Sequence, residues 1–539
     1  MSKDFEASIV RALEDPVLGG ALGRFSEAYK VSRAKAFEGV DFEAVREQIA
    51  ERKGFAAAHL DELAAEFAAN ATKNGAHVFR APSGEAVVDY VLKLCRERGV
   101  KSVVKSKSMA TEEIHLNQHL AEAGVEVRET DLGEWIIQLA GQRPSHMVMP
   151  AIHLTKEQVA EIFSKEVDER LTSDIPKLVE VARREMRPKF LGADLGISGA
   201  NIAVAETGTA IILTNEGNGR LVSTLPRIHV LVVGVEKLVA KLDDALPIMT
   251  ALPRAATGQL LTSYVSFISG PTPNTDGSDK ELHIILMDNR RSAMAADPMF
   301  KQALQCIRCA SCLQTCPVYR VLGGHVFGRT YTGGIGSILT AWFEALSQSE
   351  DIQSLCIQCG NCKEVCPGKI DIPGLILELR ERITKEKGQP LLQRAAFGVV
   401  NNRKAFHSLL RAARVMQKPV AKGGLIRHLP FFLSSLTQAR SLPAIADEPL
   451  RDVFPRLAQP EATTETAALY AGCLIDFAYP EIGKAVVEIL NEAGVRVVFP
   501  MGQTCCGAPA RYSGAHEVAA QNAADNVEAL LGEQVTYVI

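Results

Sequence analysis

No apolar run in this sequence approaches the roughly 18 to 20 residues that span a bilayer, and the amino terminus, MSKDFEASIV, lacks the basic-then-apolar pattern of an export signal. A cytoplasmic chain without a transmembrane segment is the expectation. Charge of one sign is also missing. The 59 Lys and Arg nearly balance 63 Asp and Glu, for a net charge of -4 and a pI near 6.3, so no global field draws the chain to nucleic acid or to an anionic membrane. Nucleotide-binding glycine loops are absent too. Gly217 and Gly219 lack the third glycine of a Gly-x-Gly-x-x-Gly turn, and no Gly-Lys-Ser/Thr loop occurs, which leaves no motif for flavin or NAD.

What is present is enough for several domains: 539 residues, 47% of them apolar and 23% charged, the balance of ordinary globular protein. Residues 1–70 carry apolar positions at helical spacing and read as an N-terminal helical extension. Over 71–296, strand-like runs (VKSVVKS, HMVMPAI, IAVAETGTAIIL, IHVLVVGV, LHIILM) alternate with helical stretches such as 110–123, which argues for an α/β domain with a largely parallel sheet. The strand signal then disappears, and 297–390 reads as a small all-α module. Residues 391–464 form a basic helical linker: from 390 to 440 there are nine Lys or Arg and no Asp or Glu, interleaved with Phe406, Leu409, Leu410, Phe431 and Phe432. Such a stretch either packs on its own domain or makes peripheral contact with a membrane surface or an acidic partner. From 465 to 539 the pattern is α/β again and ends on the strand-like VTYVI, as though the chain were cut in mid-domain.

Eight of the twelve cysteines fall in two clusters of the all-α module. Without an export signal, clustered cysteines favour metal over disulfides. CIRCASCLQTCP and CIQCGNCKEVCP repeat the spacing of bacterial ferredoxins that hold two cubane clusters. Three thiolates at steps of three residues wrap one cube, and the fourth, displaced by a proline-terminated turn, points to the other. The expected ligand sets are Cys306, Cys309, Cys312 and Cys366 for one [4Fe-4S] cluster, and Cys356, Cys359, Cys362 and Cys316 for the second. Structural zinc is the alternative, but it has no use for the third cysteine or the proline. Cys473 and the pair Cys505–Cys506 form a third set, and because a vicinal pair does not easily share one metal in relaxed tetrahedral geometry, it suggests either an unusual cluster or a redox function. Cys95, in step with Val88, Val91 and Leu94, reads as a buried thiol.

Outside the cysteines, Lys105, Lys107 and Ser108 follow a predicted strand and precede a helix, where their donors and the helix start would suit a carboxylate or phosphate; a solvated lysine turn is the alternative. Glu206 and Thr207 sit in a turn between apolar runs, as a base and donor or as a turn-capping carboxylate. Residues 215–219 read as a glycine-rich hairpin. His229 and His325 are lone histidines, structural by default, although His325 follows the first cluster closely enough to tune it by hydrogen bonding.

The stretch 205–234, with VVKSKSMATEEIHLN, TDLGEWIIQL, MDNRR and GGHVFGRTYTGGIG, strongly resembles the LUD-domain iron-sulfur proteins of lactate utilisation over about 70–390. The Cys473 and Cys505–Cys506–Gly507 spacing resembles the first half of the CCG domain of heterodisulfide reductases and of lactate-oxidising complexes, so that the chain looks like a fusion of the two. The resemblance implies a LUD fold related to the NagB and coenzyme A transferase group, NAD-independent oxidation of L-lactate to pyruvate, and LUD-only and CCG proteins as partners. It also implies a third iron-sulfur cluster at Cys473, Cys505 and Cys506, whose ligand set is incomplete here because the later Cys-x-x-Cys element does not occur before Ile539. The electron acceptor and catalytic residues stay open, and the other reading is a non-catalytic relay subunit of a different hydroxyacid oxidase or heterodisulfide-reductase-like complex.

Overall fold

The computed structural model describes residues 2–274, 277–460, 463 and 465–539, without the side chains of Phe432 and Ser435. The chain forms two compact units, Met1–Glu378 and Leu379–Ile539.

The first unit begins with four helices, Lys3–Glu14, Pro16–Ala36, Phe42–Ala58 and Leu60–Lys73. The breaks between them are written in the sequence. Asp15 accepts from the amides of Val17 and Leu18 and is followed by Pro16 at the first helical position, and Asp41 caps the third helix through the Ala44 amide.

Ten strands follow: β1 His77–Ala81, β2 Ser102–Lys105, β3 Glu126–Glu129, β4 Leu195–Gly199, β5 Ile202–Val204, β6 Thr209–Thr214, β7 Ile228–Gly234, β8 Leu238–Val239, β9 Tyr264–Ile268 and β10 Glu281–Met287. Six of them make an all-parallel sheet in the order β1-β10-β7-β4-β2-β3. All seven residues of β7 are buried, as a central parallel strand covered on both faces requires. The parallel sheet agrees with the sequence. A second sheet, β8-β5-β6-β9, departs from it, since β6 runs antiparallel to both β5 and β9.

Two other expectations need correction. HMVMPAI forms no strand: the His146 Nδ1 accepts from the amides of Val148 and Met149, each at 3.0 Å, so these amides point at a side chain instead of a neighbouring strand. Residues 215–219 make no hairpin. Both edges of β6 are already paired, and the chain turns into the helix Asn218–Thr224. That helix lies close on β4, where a Cβ at Gly196 would come within 2.1 Å of the Val222 carbonyl oxygen. Gly196→Ala therefore forces helix and sheet apart, with an expected cost of about 1–3 kcal/mol, readable as a lower denaturant midpoint.

Ile49, Ile202, Ile211, Ile248, Ile307 and Cys309 share one core, which joins the N-terminal helices, the second sheet and the first cysteine loop. Cys95 is buried, and burial pushes its thiol up to about 11. His229 is buried with Nε2 2.8 Å from Ser198 Oγ, a structural histidine that burial holds down at about 3.

In the second unit, Glu465–Ala468 is flanked by Val495–Val498 and Tyr537–Val538 in a parallel sheet. Helices Pro480–Glu492 and His516–Leu531 follow the first two of these strands. The basic stretch becomes helices Leu391–Val400 and Arg403–Met416 and a small antiparallel sheet. Its cations face its own unit: Arg411 pairs with Asp452 at 2.6 Å and Arg403 bonds the Met501 carbonyl at 2.6 Å. Leu409 and Phe431 are exposed, Phe406 and Leu410 are half-buried, and the Phe432 side chain lies outside the described residues. Among the described residues no helix is long and apolar enough to cross a membrane.

Candidate functional site

The two cysteine clusters fold alike. Cys306 and Cys356 each open a loop whose third and fifth residues have left-handed backbone: Arg308 (φ 62°) and Ala310 (61°) in the first, Gln358 (62°) and Gly360 (85°) in the second. Three of these four are not glycine, so the conformation is imposed at a cost of order 1 kcal/mol or more each. Such backbone reversals form the concave amide nests found at anion and iron-sulfur sites. Each loop continues into a one-turn helix, Ser311–Gln314 or Asn361–Glu364, and ends at Cys-Pro.

The sulfurs gather crosswise. Cys309 lies within electrostatic reach of Cys306 and Cys366, and Cys312 of Cys306, Cys309, Cys362 and Cys366. Cys316 senses Cys356 and Cys359, as does Cys362, which also senses Cys316 and Cys366, so the two groups adjoin at Cys312, Cys362 and Cys366. Burial first, and the neighbouring sulfurs next, hold the thiols of Cys309, Cys312 and Cys362 well above their ordinary range. Burial likewise pushes Cys316 and Cys366 up to about 11. Backbone amides meet some of these sulfurs, as at Tyr319 N to Cys316 Sγ, 3.5 Å. Among the described residues no disulfide forms. Buried thiols within electrostatic reach of one another, with an amide donor such as Tyr319 N beside them, fit iron-sulfur clusters, whose iron takes the place of the thiol protons. Cys309 and Cys366 are buried, whereas Cys359 is exposed.

A cavity of about 390 Å³ opens beside the first loop. From β2 the chain passes outward to β3 and then returns to the other side of β2 to lay down β4, so the strand order reverses between these two. Parallel sheets open their ligand crevices at such a point, beyond the carboxyl ends of the strands. Ser106, Lys107 and Ser108 follow β2, Ala200 and Asn201 follow β4, and Glu236 and Lys237 follow β7; all line the cavity. Asp131, Glu216 and Arg308 complete its charged lining. Burial, then the charge of Asp131, pushes Glu216 up to about 7. Burial, then the Arg308 cation, lowers Lys237 to about 8.

Behind the cavity lies a buried ionic network. Glu113 takes two hydrogen bonds from Arg291, at 2.9 and 2.8 Å, one from Tyr331 at 2.7 Å and one from Asn289 at 2.6 Å. Glu236 binds Arg291 on one side and Arg308 at 3.2 Å on the other. Arg308 also lies over the Tyr331 ring, 4.7 Å from its centroid. The network ties the α/β layer to the cysteine module through MDNRR and GRTYTGG, two motifs legible in the sequence without a stated role.

Three family descriptions match in chain order: LUD domain over 64–287, 4Fe-4S dicluster domain over 302–370 and cysteine-rich domain over 467–539. Lactate utilization protein B of Bacillus licheniformis is 36% identical over 461 residues, covering 84% of this chain and 96% of the relative. The chain belongs to the lactate utilization protein B family. Its counterpart in Bacillus subtilis is also 36% identical, over 86% of this chain and 98% of the relative. Among solved structures, a DUF162 family protein of Deinococcus radiodurans aligns at 13% identity with a TM-score of 0.24, over 42% of this chain and 98% of that one.

In this lactate utilization protein B family member, the residues singled out from sequence fare unequally. Lys105 is fully buried, held by Glu112 and by Glu129 at 2.7 Å, and does not line the cavity. Its role is structural. Lys107 does line it, 3.5 Å from Glu134. Glu206 and Thr207 lie away from the cavity lining, where Glu206 accepts from the Leu242 amide and Thr207 donates to Thr209. His325 spends its Nε2 on the Arg143 carbonyl, 2.7 Å away, and packs against His153, so that nitrogen is not available to a cluster sulfur.

Arg308, Lys237, Asp131, Glu216 and Glu236 were not anticipated as lining one cavity. Four of them follow strands, and Arg308 sits inside the Cys-x-x-Cys step. In the second unit, Cys473, Cys505 and Cys506 converge. Cys473 donates to Cys505, which pulls the Cys505 thiol below its ordinary value. Gln503 ties the two loops by accepting from the Ala471 amide at 2.8 Å and donating to the Leu469 carbonyl at 3.0 Å.

Proposed function

We propose that this chain is the cytoplasmic iron-sulfur electron-transfer component of a system that oxidises L-lactate to pyruvate without NAD, active together with LUD-only and CCG partner proteins. The observation that carries this reading is the pair of crosswise cysteine nests, one bordering the cavity and the other reaching the surface at Cys359. In this reading residues 71–296 bind the substrate, 297–390 hold two [4Fe-4S] clusters, and 465–539 form a docking or third-cluster element around Cys473, Cys505 and Cys506. Cys306, Cys309, Cys312 and Cys366 hold the inner cluster, and Cys316, Cys356, Cys359 and Cys362 the outer one. A bound cubane supplies one-electron transfer. The chain's own contribution is to keep the inner nest dry under Cys309 and Cys366 and to leave the outer nest within reach of an acceptor at Cys359 and the exposed Ile357.

The test is an anaerobic iron and sulfide assay with EPR on the full chain plus its partner proteins, before and after L-lactate. About eight irons per chain, and cubane signals that appear on lactate addition, are expected. Full reduction by dithionite with no response to lactate would overturn the lactate assignment in favour of a relay for another hydroxyacid or thiol-disulfide enzyme.

A further inference from the structure

We propose that the cavity between the ends of β2, β4 and β7 is a binding site for the carboxylate of a short 2-hydroxy acid, with Arg308 and Lys237 as its anchors. The inference rests on the reading above and places its substrate on this chain.

Arg308 is held like a recognition residue. Its backbone is locked in the left-handed region, its guanidinium lies over Tyr331, and one end of its fork is tied to Glu236. The other end, Nη1, is buried and has no protein acceptor, although the residue is only 9% exposed and lines the cavity. Lys107 Nζ, in the same lining, is buried with no hydrogen bond and has only the 3.5 Å ion pair to Glu134. Buried charged donors are rarely left without an acceptor, and a guanidinium edge matches a carboxylate in geometry as well as charge.

The charged lining is balanced, with Lys107, Lys237 and Arg308 against Asp131, Glu216 and Glu236. Asp131 and Glu216 share the lining, so a monoanion with a hydroxyl to donate to them suits the site better than a phosphate dianion, which they repel. About 390 Å³ accepts a short hydroxyacid with room to spare.

The duplicated loop supplies an internal comparison. Gln358 occupies the position of Arg308 in the second repeat, with the same backbone conformation, and it does not line the cavity. The charge appears only where the loop meets the cavity, and glutamine is shown to be compatible with this backbone.

The experiment is anaerobic titration calorimetry on the iron-loaded full chain with L-lactate and, separately, with inorganic phosphate. Arg308→Gln should bind L-lactate at least tenfold more weakly than the unmodified chain, with the iron content unchanged. Lys237→Met, which lies outside the cysteine loop, should also weaken binding several-fold and serves if Arg308→Gln fails to load iron. Absence of L-lactate binding to the iron-loaded chain, equal affinity in the variants, or tighter binding of phosphate than of lactate would overturn the proposal. Calorimetry reads binding alone, so cubane signals that ignore lactate would count against the proposed function and leave this site standing.

Discussion

Cys366→Ala is expected to strip iron from the nest that Cys366 shares with Cys306, Cys309 and Cys312, although Cys366 belongs in sequence to the other motif. Iron per chain should fall by about half, since each cubane carries about four. Pairing mutations makes the result decisive. Cys306→Ala combined with Cys366→Ala should lose no more iron than either alone, because both act on one cluster. Cys356→Ala combined with Cys366→Ala should lose nearly all of it. Motif-by-motif ligation predicts the opposite pattern, and only residues acting on a shared object depart from additivity in this way. Cys309 and Cys366 are both buried, Cys309 senses Cys366, and both sense Cys306, which is the structural reason to expect the crosswise outcome.

The second large effect is expected at Arg291. Its side chain is fully buried and bonds two carboxylates, Glu113 and Glu236, each about 2% exposed, while its guanidinium lies 4.1 Å from the centroid of the Phe343 ring. Arg291→Met leaves those carboxylates facing each other without their common cation. Breaking a buried pair in this way costs about 3–5 kcal/mol, to be read from denaturant unfolding at neutral pH. Arg291→Lys should recover little, because an ammonium lacks the fork that meets both partners. The pH dependence carries a sign. Burial alone would raise the Glu236 carboxyl, but Arg291 and Arg308 outweigh it and hold the group below its ordinary value. Its stabilising contribution is therefore present above the ordinary carboxylate range near 4.5 and is lost as the pH falls toward the depressed value. In Arg291→Met that acid-side loss should shrink.

The cysteine pattern was legible because its repeated spacing lies within two short segments, and the parallel sheet because its central strands β7 and β10, IHVLVVG and ELHIILM, are apolar runs. The cavity was not. Arg308 and Glu236 are 72 residues apart and meet only through the tertiary fold, and each, read locally, is an ordinary charge in a loop. Lys105 and Lys107 show the limit most sharply. Two residues apart, they would share a face if the strand continued, but β2 ends at Lys105, so the first is held by Glu129 and Glu112 while the second, beyond the strand, reaches the cavity lining. HMVMPAI carries a strand's hydrophobicity, yet His146 captures the amides a ladder would need. A side chain that competes for backbone donors leaves no mark in periodicity.

The N-terminal helices have a consequence for the order in which this protein is made. Tyr29 donates to or accepts from Ser311 Oγ at 2.6 Å, Ser26 bonds the Gln314 carbonyl at 2.8 Å, and Arg46 bonds the Lys363 carbonyl at 2.8 Å. These partners lie close to 300 residues downstream, which at ordinary rates of translation means a wait of about 15 to 60 seconds on the ribosome. The helices that roof the cysteine loops therefore wait through that interval for the segments they pack on, and their polar contacts are complete only once both cysteine motifs have been made.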